Sequence, residues 1–226
     1  MIVSNSKKFI FIHIHKTGGE SITETLKPYI LPDEVILDTN REAGALGKHS
    51  TALNVRDNLP AEVWDTYFKF AVVRHPIDRV ISLYGYCAKM ARLRKRTLPQ
   101  KIRNPHLLLM LEDYKRWPAM KAFASTTSFS EFIRHPELVN AFAMRLQTQA
   151  ICDDNNQIIV DRLARFEHFD DEIAAIQSRL GVPRDKPAKK NISGGNHVER
   201  SQLLPEDITF LAHWFEADFA LLGYAP

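Results

Sequence analysis

Cysteine is almost missing from this chain, which has Cys87 and Cys152 and no others in 226 residues. Two isolated cysteines form neither a disulfide framework nor the Cys-x-x-Cys spacing of a structural zinc site, so both read as reduced thiols in the core. Long hydrophobic runs are missing too. The apolar run from Phe9 to His15 is only seven residues long, is interrupted by His13, and has no small-residue cleavage site after it. A membrane span needs roughly 18 apolar residues or more, so neither a span nor a signal segment is expected; the default address is the cytoplasm, with no membrane partner. Excess charge of one sign is lacking as well. Thirty Lys and Arg face 27 Asp and Glu, a net charge of +3 that is too mild for wholesale coating of nucleic acid. No internal repeat or low-complexity tract interrupts the chain. With 45% hydrophobic residues, 9 Gly and 12 Pro, the composition is that of a globular protein and excludes collagen-like or disordered classes. A single domain spanning residues 1–226 is the expectation at this length, with a helical excursion over about 105–150.

What is present alternates between strand and helix. Phe9 to Ile14 is β-branched and aromatic almost throughout, as in a strand buried on both faces. A Gly18-Gly19 turn follows, then apolar residues at helical spacing until Pro28. Short helices are expected over 50–58 and 60–65, a second buried strand over 67–73, and a helix from Ile77 to about Arg96. Ser128 and Glu131 have capping-box spacing ahead of Phe132. Residues 157–160 and 162–166 read as short strands, and 169–180 as a helix stopped by Gly181. Residues 183–200 read as a surface loop, and Pro205 to Phe219 as one amphipathic helix with Ile208, Leu211, Phe215 and Phe219 inward. This order predicts an α/β fold with a central parallel sheet flanked by helices.

The first turn carries chemistry. His15-Lys16-Thr17-Gly18-Gly19-Glu20-Ser21 takes a buried strand through two glycines into a helix, so backbone N–H groups and the helix dipole converge on one point. Such a turn is an anion cradle. Lys16 can add an ammonium, and Thr17 and Ser21 can add hydroxyl donors. In the usual nucleotide P-loop the lysine follows the glycines, whereas Lys16 precedes them, and the second strand ends in Arg74 rather than in a carboxylate for magnesium. A metal-free phosphate or sulfate ester suits this set better than a nucleoside triphosphate.

Arg74 stands at the carboxyl end of the second strand, the edge where open α/β sheets bind ligands. Ser82, about two turns into the following helix, is placed to share an anion with it. Asp78 and Arg79 read as a solvated or internally paired helix face, and Tyr84 as core. Two anion sites on neighbouring strand ends point to a nucleotide with phosphate at both ends of its ribose.

Phe11 to Ile22 followed by Phe70 to Tyr84 resembles the sulfotransferase superfamily, and is most like the branch of carbohydrate sulfotransferases that holds the heparan sulfate 2-O- and chondroitin enzymes. The similarity continues through Lys48 to Ala52, Arg165 to Phe169 and Asp218 to Tyr224, nearly the whole chain. It implies a P-loop-NTPase-like sulfotransferase fold and 3′-phosphoadenosine 5′-phosphosulfate (PAPS) as the sulfuryl donor, with the 3′,5′-bisphosphate (PAP) as product and no metal. It places Lys16, Thr17, Gly18, Gly19, Glu20 (by its backbone) and Ser21 around the 5′-phosphosulfate, and Arg74 and Ser82 at the 3′-phosphate. His15 and His75 depart from the Pro and Asn common at those positions.

Sulfuryl transfer to a hydroxyl or amine is an in-line displacement in which positioning and charge stabilisation do most of the catalysis. Lys16 is the candidate for the charge on the leaving oxygen. A neutral imidazole suits the general base. Nine histidines compete for that role, and spacing alone does not choose among them. His49 is selected because Lys48-His49-Ser50-Thr51 looks like the segment that carries the base in the family. His13 and His15, flanking one residue, read as structural rather than as a metal pair. The segment 89–103 holds Lys89, Arg92, Arg94, Lys95, Arg96, Lys101 and Arg103 without an acidic residue. It reads either as a solvated face or as a groove for an anionic polysaccharide, with Arg92, Arg94, Lys95 and Arg96 in contact; aromatic residues for stacking nucleic-acid bases are not interleaved. Lys189, Lys190 and Ser193 mark a late loop of the kind that closes over the nucleotide. The competing readings are a P-loop nucleotide kinase and a non-catalytic nucleotide-binding module.

Overall fold

The computed structural model describes residues 1–36, 46–94, 117–139, 141–187 and 198–226. The chain forms two compact units, Met1–His75 with Leu146–Ile192 and Ala220–Tyr224, and Pro76–Arg145 with Ser193–Phe219 and Ala225–Pro226.

The first unit holds a sheet of four strands in the order β1 (Ile2–Ser4), β2 (Phe9–Ile12), β3 (Phe68–Val73) and β4 (Arg162–Arg165). β2, β3 and β4 are parallel, with Phe11 opposite Phe70 and Val73 opposite Arg165. β1 pairs antiparallel to β2 through Ile2 and Phe11, so the parallel sheet carries one antiparallel edge strand that the sequence reading lacks. Three residues followed by polar Asn5 to Lys8 give too little pattern for a strand to be recognised, and Lys8 turns the chain with φ +51°.

Alternation along β2 and β3 is invisible in the sequence because both faces are apolar, yet it divides the core in two. On one face Ile10, Ile12, Ala71 and Val73 pack with Ala52 and Val55 of α2 (Ala52–Asn58) and Trp64 of α3 (Ala61–Thr66), α1 being Gly19–Leu26. On the other, Phe9, Phe11, Phe70 and Val72 pack with Ile22 and Leu26 of α1 and with Ile173 and Ile176 of the helix Phe169–Leu180. Phe9 and Phe11 stand 5.9 and 5.1 Å from Phe70, ring centre to ring centre, and all three are fully buried. Each such side chain contributes about 1.5–3 kcal/mol on leaving water, so this stack anchors the strands that carry the site.

Turn chemistry follows the sequence closely in places. Thr51 caps α2 by accepting from Asn54 N at 3.1 Å. Gly181, at φ +64°, ends the helix Phe169–Leu180. The expected strand at 157–160 is instead a turn-back held by a single bridge between Cys152 and Ile158, with Asp153 Oδ1 accepting from Asn155 N and Gln157 N. The aspartate bonds capture this backbone before it pairs with the sheet.

The second unit is helical among its described residues, with α4 (Pro76–Arg94), the helices Pro118–Ser125, Phe129–Arg134 and Pro136–Val139, and the helix Pro205–Trp214. Residues 105–116 and 140 of the expected helical excursion lie outside the described residues. Tyr84 is ringed by Phe123, Phe129 and Phe132 at 5.1–5.4 Å. Ser128 accepts from Glu131 N as expected, and the Glu131 carboxylate accepts from Thr127 N as well as from the Ser128 backbone. The final amphipathic run breaks at Phe215 into Pro205–Trp214 and Glu216–Leu222, while Leu211, Phe215 and Phe219 all remain buried. Arg79 is 2% exposed and donates to Ala143 O and Arg145 O at 2.8 and 2.7 Å, with Asp218 at 4.0 Å. It is internally paired rather than solvated. Asp78 pairs with Arg200 at 3.7 Å. Cys87 and Cys152 are buried, and neither is in a disulfide.

Candidate active site

Three parallel strands end on one edge of the first unit's sheet, and their continuations build the site: His13 to Gly19 after β2, Arg74 after β3 and Phe166-Glu167 after β4. The β2 turn is tightly specified. Lys16 has φ +66° and Gly18 φ +84°, two left-handed residues that bend the chain into α1. A Cβ on Gly18 would stand 2.8 Å from the Phe169 ring, and one on Gly19 would stand 2.0 Å from Cδ2 and Nε2 of His13. Gly18 is thus required by both conformation and space, Gly19 by space alone. Thr17 is fully buried and its hydroxyl donates to Ile14 O at 3.0 Å, so this hydroxyl braces the turn instead of pointing a donor at a ligand. Within α1, Thr23 and Thr25 donate back to Gly19 O and Ser21 O at 2.9 and 2.7 Å, which satisfies two buried hydroxyls. Ser21 is buried in the first turn of this helix.

Glu20 enters by its side chain, not only its backbone. Its carboxylate forms an ion pair with Lys48 Nζ. A carboxylate in the first turn of an anion cradle would repel an anion, and Lys48 offsets that charge. Gly47 N donates to Ser50 Oγ at 2.9 Å and Ser50 N to Gly47 O at 3.1 Å, closing a turn around Lys48 and His49 just ahead of α2. His49 Nδ1 lies 2.8 Å from His13 O. A carbonyl oxygen only accepts, so Nδ1 carries the proton and the lone pair of the neutral ring is on Nε2. Burial lowers the His49 pKa to about 4, the His13 carbonyl opposes this, and the Lys48 charge lowers it further. The His13 ring, buried and 4.6 Å from that of His49, has no hydrogen-bond partner at Nδ1 among the described residues. Burial, followed by the positive charges around it, holds His13 well below the ordinary histidine range. His15 stacks on His49 with ring centres 3.6 Å apart and planes 24° from parallel. Three histidines thus come together where spacing showed two. Among the described residues no group of His, Cys, Asp or Glu is arranged to hold a metal ion.

Arg74 is framed by backbone, ring and carbonyl contacts. Its backbone N and O pair with the side-chain amide of Gln147 at 2.9 and 2.7 Å, its guanidinium lies over the Phe166 ring at 4.3 Å, and Nη1 reaches Lys16 O at 3.5 Å. Next to it, His75 N donates to Glu167 Oε1 at 2.7 Å and Tyr224 OH to Oε2 at 2.9 Å. Burial pushes the Glu167 carboxyl up, but these donors and the charge of Arg74 bring it below its ordinary value. Phe166 and Glu167 were findable by the strand-end rule that singled out Arg74. Gln147 was not, because nothing local marks a glutamine whose partner lies 73 positions away.

Lys16, Gly18, Gly19, Glu20, Ser21, His49 and Arg74 therefore belong to one unit and one sheet edge. Ser82, half-buried on α4, and exposed Arg92 belong to the second unit. The side chain of Arg94 and the residues Lys95, Arg96, Lys101, Arg103, Lys189, Lys190 and Ser193 lie outside the described residues.

An α/β protein with a Gly-Gly turn at a helix start, an arginine on the next strand end and a neutral imidazole beside them is a candidate for transfer of an anionic group. The sequence model of the sulfotransferase family matches residues 1–225, and the chain belongs to this family. The crystal structure of a sulfotransferase from Alicyclobacillus acidocaldarius is similar at 16% identity and a TM-score of 0.41, covering 97% of this chain and 96% of that one. No curated protein matches the chain.

Proposed function

We propose that the protein moves a sulfuryl group from PAPS to a hydroxyl or amine of a carbohydrate, with His49 as general base. The observation that carries this reading is the tautomer of His49, whose Nδ1–H is spent on His13 O beside the Lys16 to Gly19 turn, which puts the lone pair of the neutral ring on Nε2. The donor set fits the nucleotide: a lysine and helix N–H groups at one strand end, and a guanidinium held flat on Phe166 at the next. When bound, PAPS supplies the sulfuryl group and a phosphate leaving group. The backbone N–H groups at the start of α1 orient the phosphosulfate, and the Lys16 ammonium stabilises negative charge growing on the leaving oxygen. Arg74 holds the 3′-phosphate. His49 Nε2 takes the proton from the acceptor as its oxygen or nitrogen bonds to sulfur and the bond from sulfur to the leaving oxygen breaks. Exposed Arg92, in a stretch of α4 that also holds Lys89, favours an anionic polysaccharide as acceptor.

Calorimetry in chelator with adenosine 3′,5′-bisphosphate and adenosine triphosphate tests the reading. The expected result is metal-independent binding of the bisphosphate that Arg74→Ala weakens, with a smaller effect of that substitution on adenosine 5′-phosphate. Preference for the triphosphate with magnesium would replace sulfuryl transfer by the kinase reading.

A further inference from the structure

Resting on His49 as the proton acceptor, we propose that His15 is a positioning residue that fixes the direction in which His49 Nε2 points. A hydrogen bond to one ring nitrogen fixes a point, and the ring still pivots about it. A face contact fixes the plane. His49 has both restraints: Nδ1 on His13 O at 2.8 Å, and the His15 ring laid against its face at 3.6 Å between centres and 24° between planes. The His13 ring, tilted 57° at 4.6 Å, bounds the same imidazole from a second direction. Together these contacts leave the Nε2 lone pair one orientation, which is what a base needs when its target must sit within hydrogen-bond reach.

The origin of the restraint matters as much as its presence. His15 lies between Ile14, whose carbonyl accepts from Thr17, and Lys16, whose backbone is left-handed. The plane of His49 is therefore set by the turn that presents Lys16, Gly18 and Gly19. Proton acceptor and cradle share one rigid reference, although 34 positions separate His15 from His49. The contact asks only for a flat ring at position 15, not for its nitrogens. A phenyl should serve, and an acyclic side chain should not.

The test compares His15→Phe, His15→Ala and His15→Gln in the unliganded full chain by long-range ¹H–¹⁵N spectra of the imidazoles, with His49 assigned through His49→Gln. Wild type and His15→Phe are expected to show His49 protonated at Nδ1. His15→Ala and His15→Gln are expected to keep that tautomer, which the His13 carbonyl sets, but to broaden the His49 ring signals by exchange as the ring pivots about that bond, with adenosine 3′,5′-bisphosphate affinity within about twofold of wild type. Wild-type line widths for His49 in either acyclic variant, or equal broadening in His15→Phe, would overturn the proposal. The spectra need no turnover, so they decide the stack even if the bisphosphate fails to bind wild type, an outcome that would instead count against the sulfotransferase donor site.

Discussion

At the scale of single residues, His49, the proposed base, and its neighbour His13 set the expected pH dependence. Removing the imidazole of a general base lowers turnover by roughly 10²–10⁴. His49→Ala is expected to lose this much in PAPS-dependent sulfation while keeping bisphosphate affinity; turnover within threefold of wild type would remove His49 from the role. Its proton affinity also has a thermodynamic consequence. The His49 pKa falls from 6.5 to about 4 on folding, and buried His13 is lowered too, so below about pH 6.5 the unfolded chain binds protons that the folded chain excludes. The stability these two groups contribute is complete above that pH and is lost as pH falls toward about 4. Urea midpoints should therefore drop between pH 7 and pH 5, and the drop should shrink in His49→Gln. An unchanged slope would mean that the imidazole titrates normally.

The element on which most depends is the turn from β2 into α1. Gly19 is the first residue of α1, where alanine would ordinarily be preferred by up to about 1 kcal/mol. A Cβ there would meet the His13 ring at 2.0 Å, and that ring is buried and packed against Phe11. Overpacking of this kind costs about 1–3 kcal/mol, so the clash outweighs the propensity. Gly19→Ala should lower stability in urea by 1–3 kcal/mol and displace His13, hence the carbonyl that holds His49. A neutral or stabilising result would mean that the ring moves freely. The boundaries of α1, α2, α3 and the helix Phe169–Leu180 were legible because caps, prolines and Gly181 lie next to them in the chain. β1 and the break at Phe215 were not, since an edge strand exists through its partner and an apolar stripe continues unbroken across the break.

For the whole molecule, two compact units with different stabilising chemistry are expected to respond separately to substitution. The second contains a buried charge: burial lowers the Arg79 pKa to about 10, with Asp218 acting in the opposite direction. Asp218→Asn leaves that guanidinium without its counter-charge and should cost about 3–5 kcal/mol in urea unfolding. A loss below 1 kcal/mol would mean that the carbonyls of Ala143 and Arg145 alone carry the pair. By itself the sequence determined the α/β class, the turn from Lys16 to Ser21 and the placing of Arg74 at a strand end, because a buried strand, a Gly-Gly turn and an amphipathic helix are read from neighbouring residues. Only the tertiary structure decided that the Thr17 hydroxyl is spent on Ile14 O, that Lys48 answers Glu20, that His15 lies on His49, and that Gln147 and Phe166 hold Arg74. Those partners stand 28 to 92 positions apart or turn on which way one hydroxyl points, and such contacts follow from strand register and burial rather than from any local pattern.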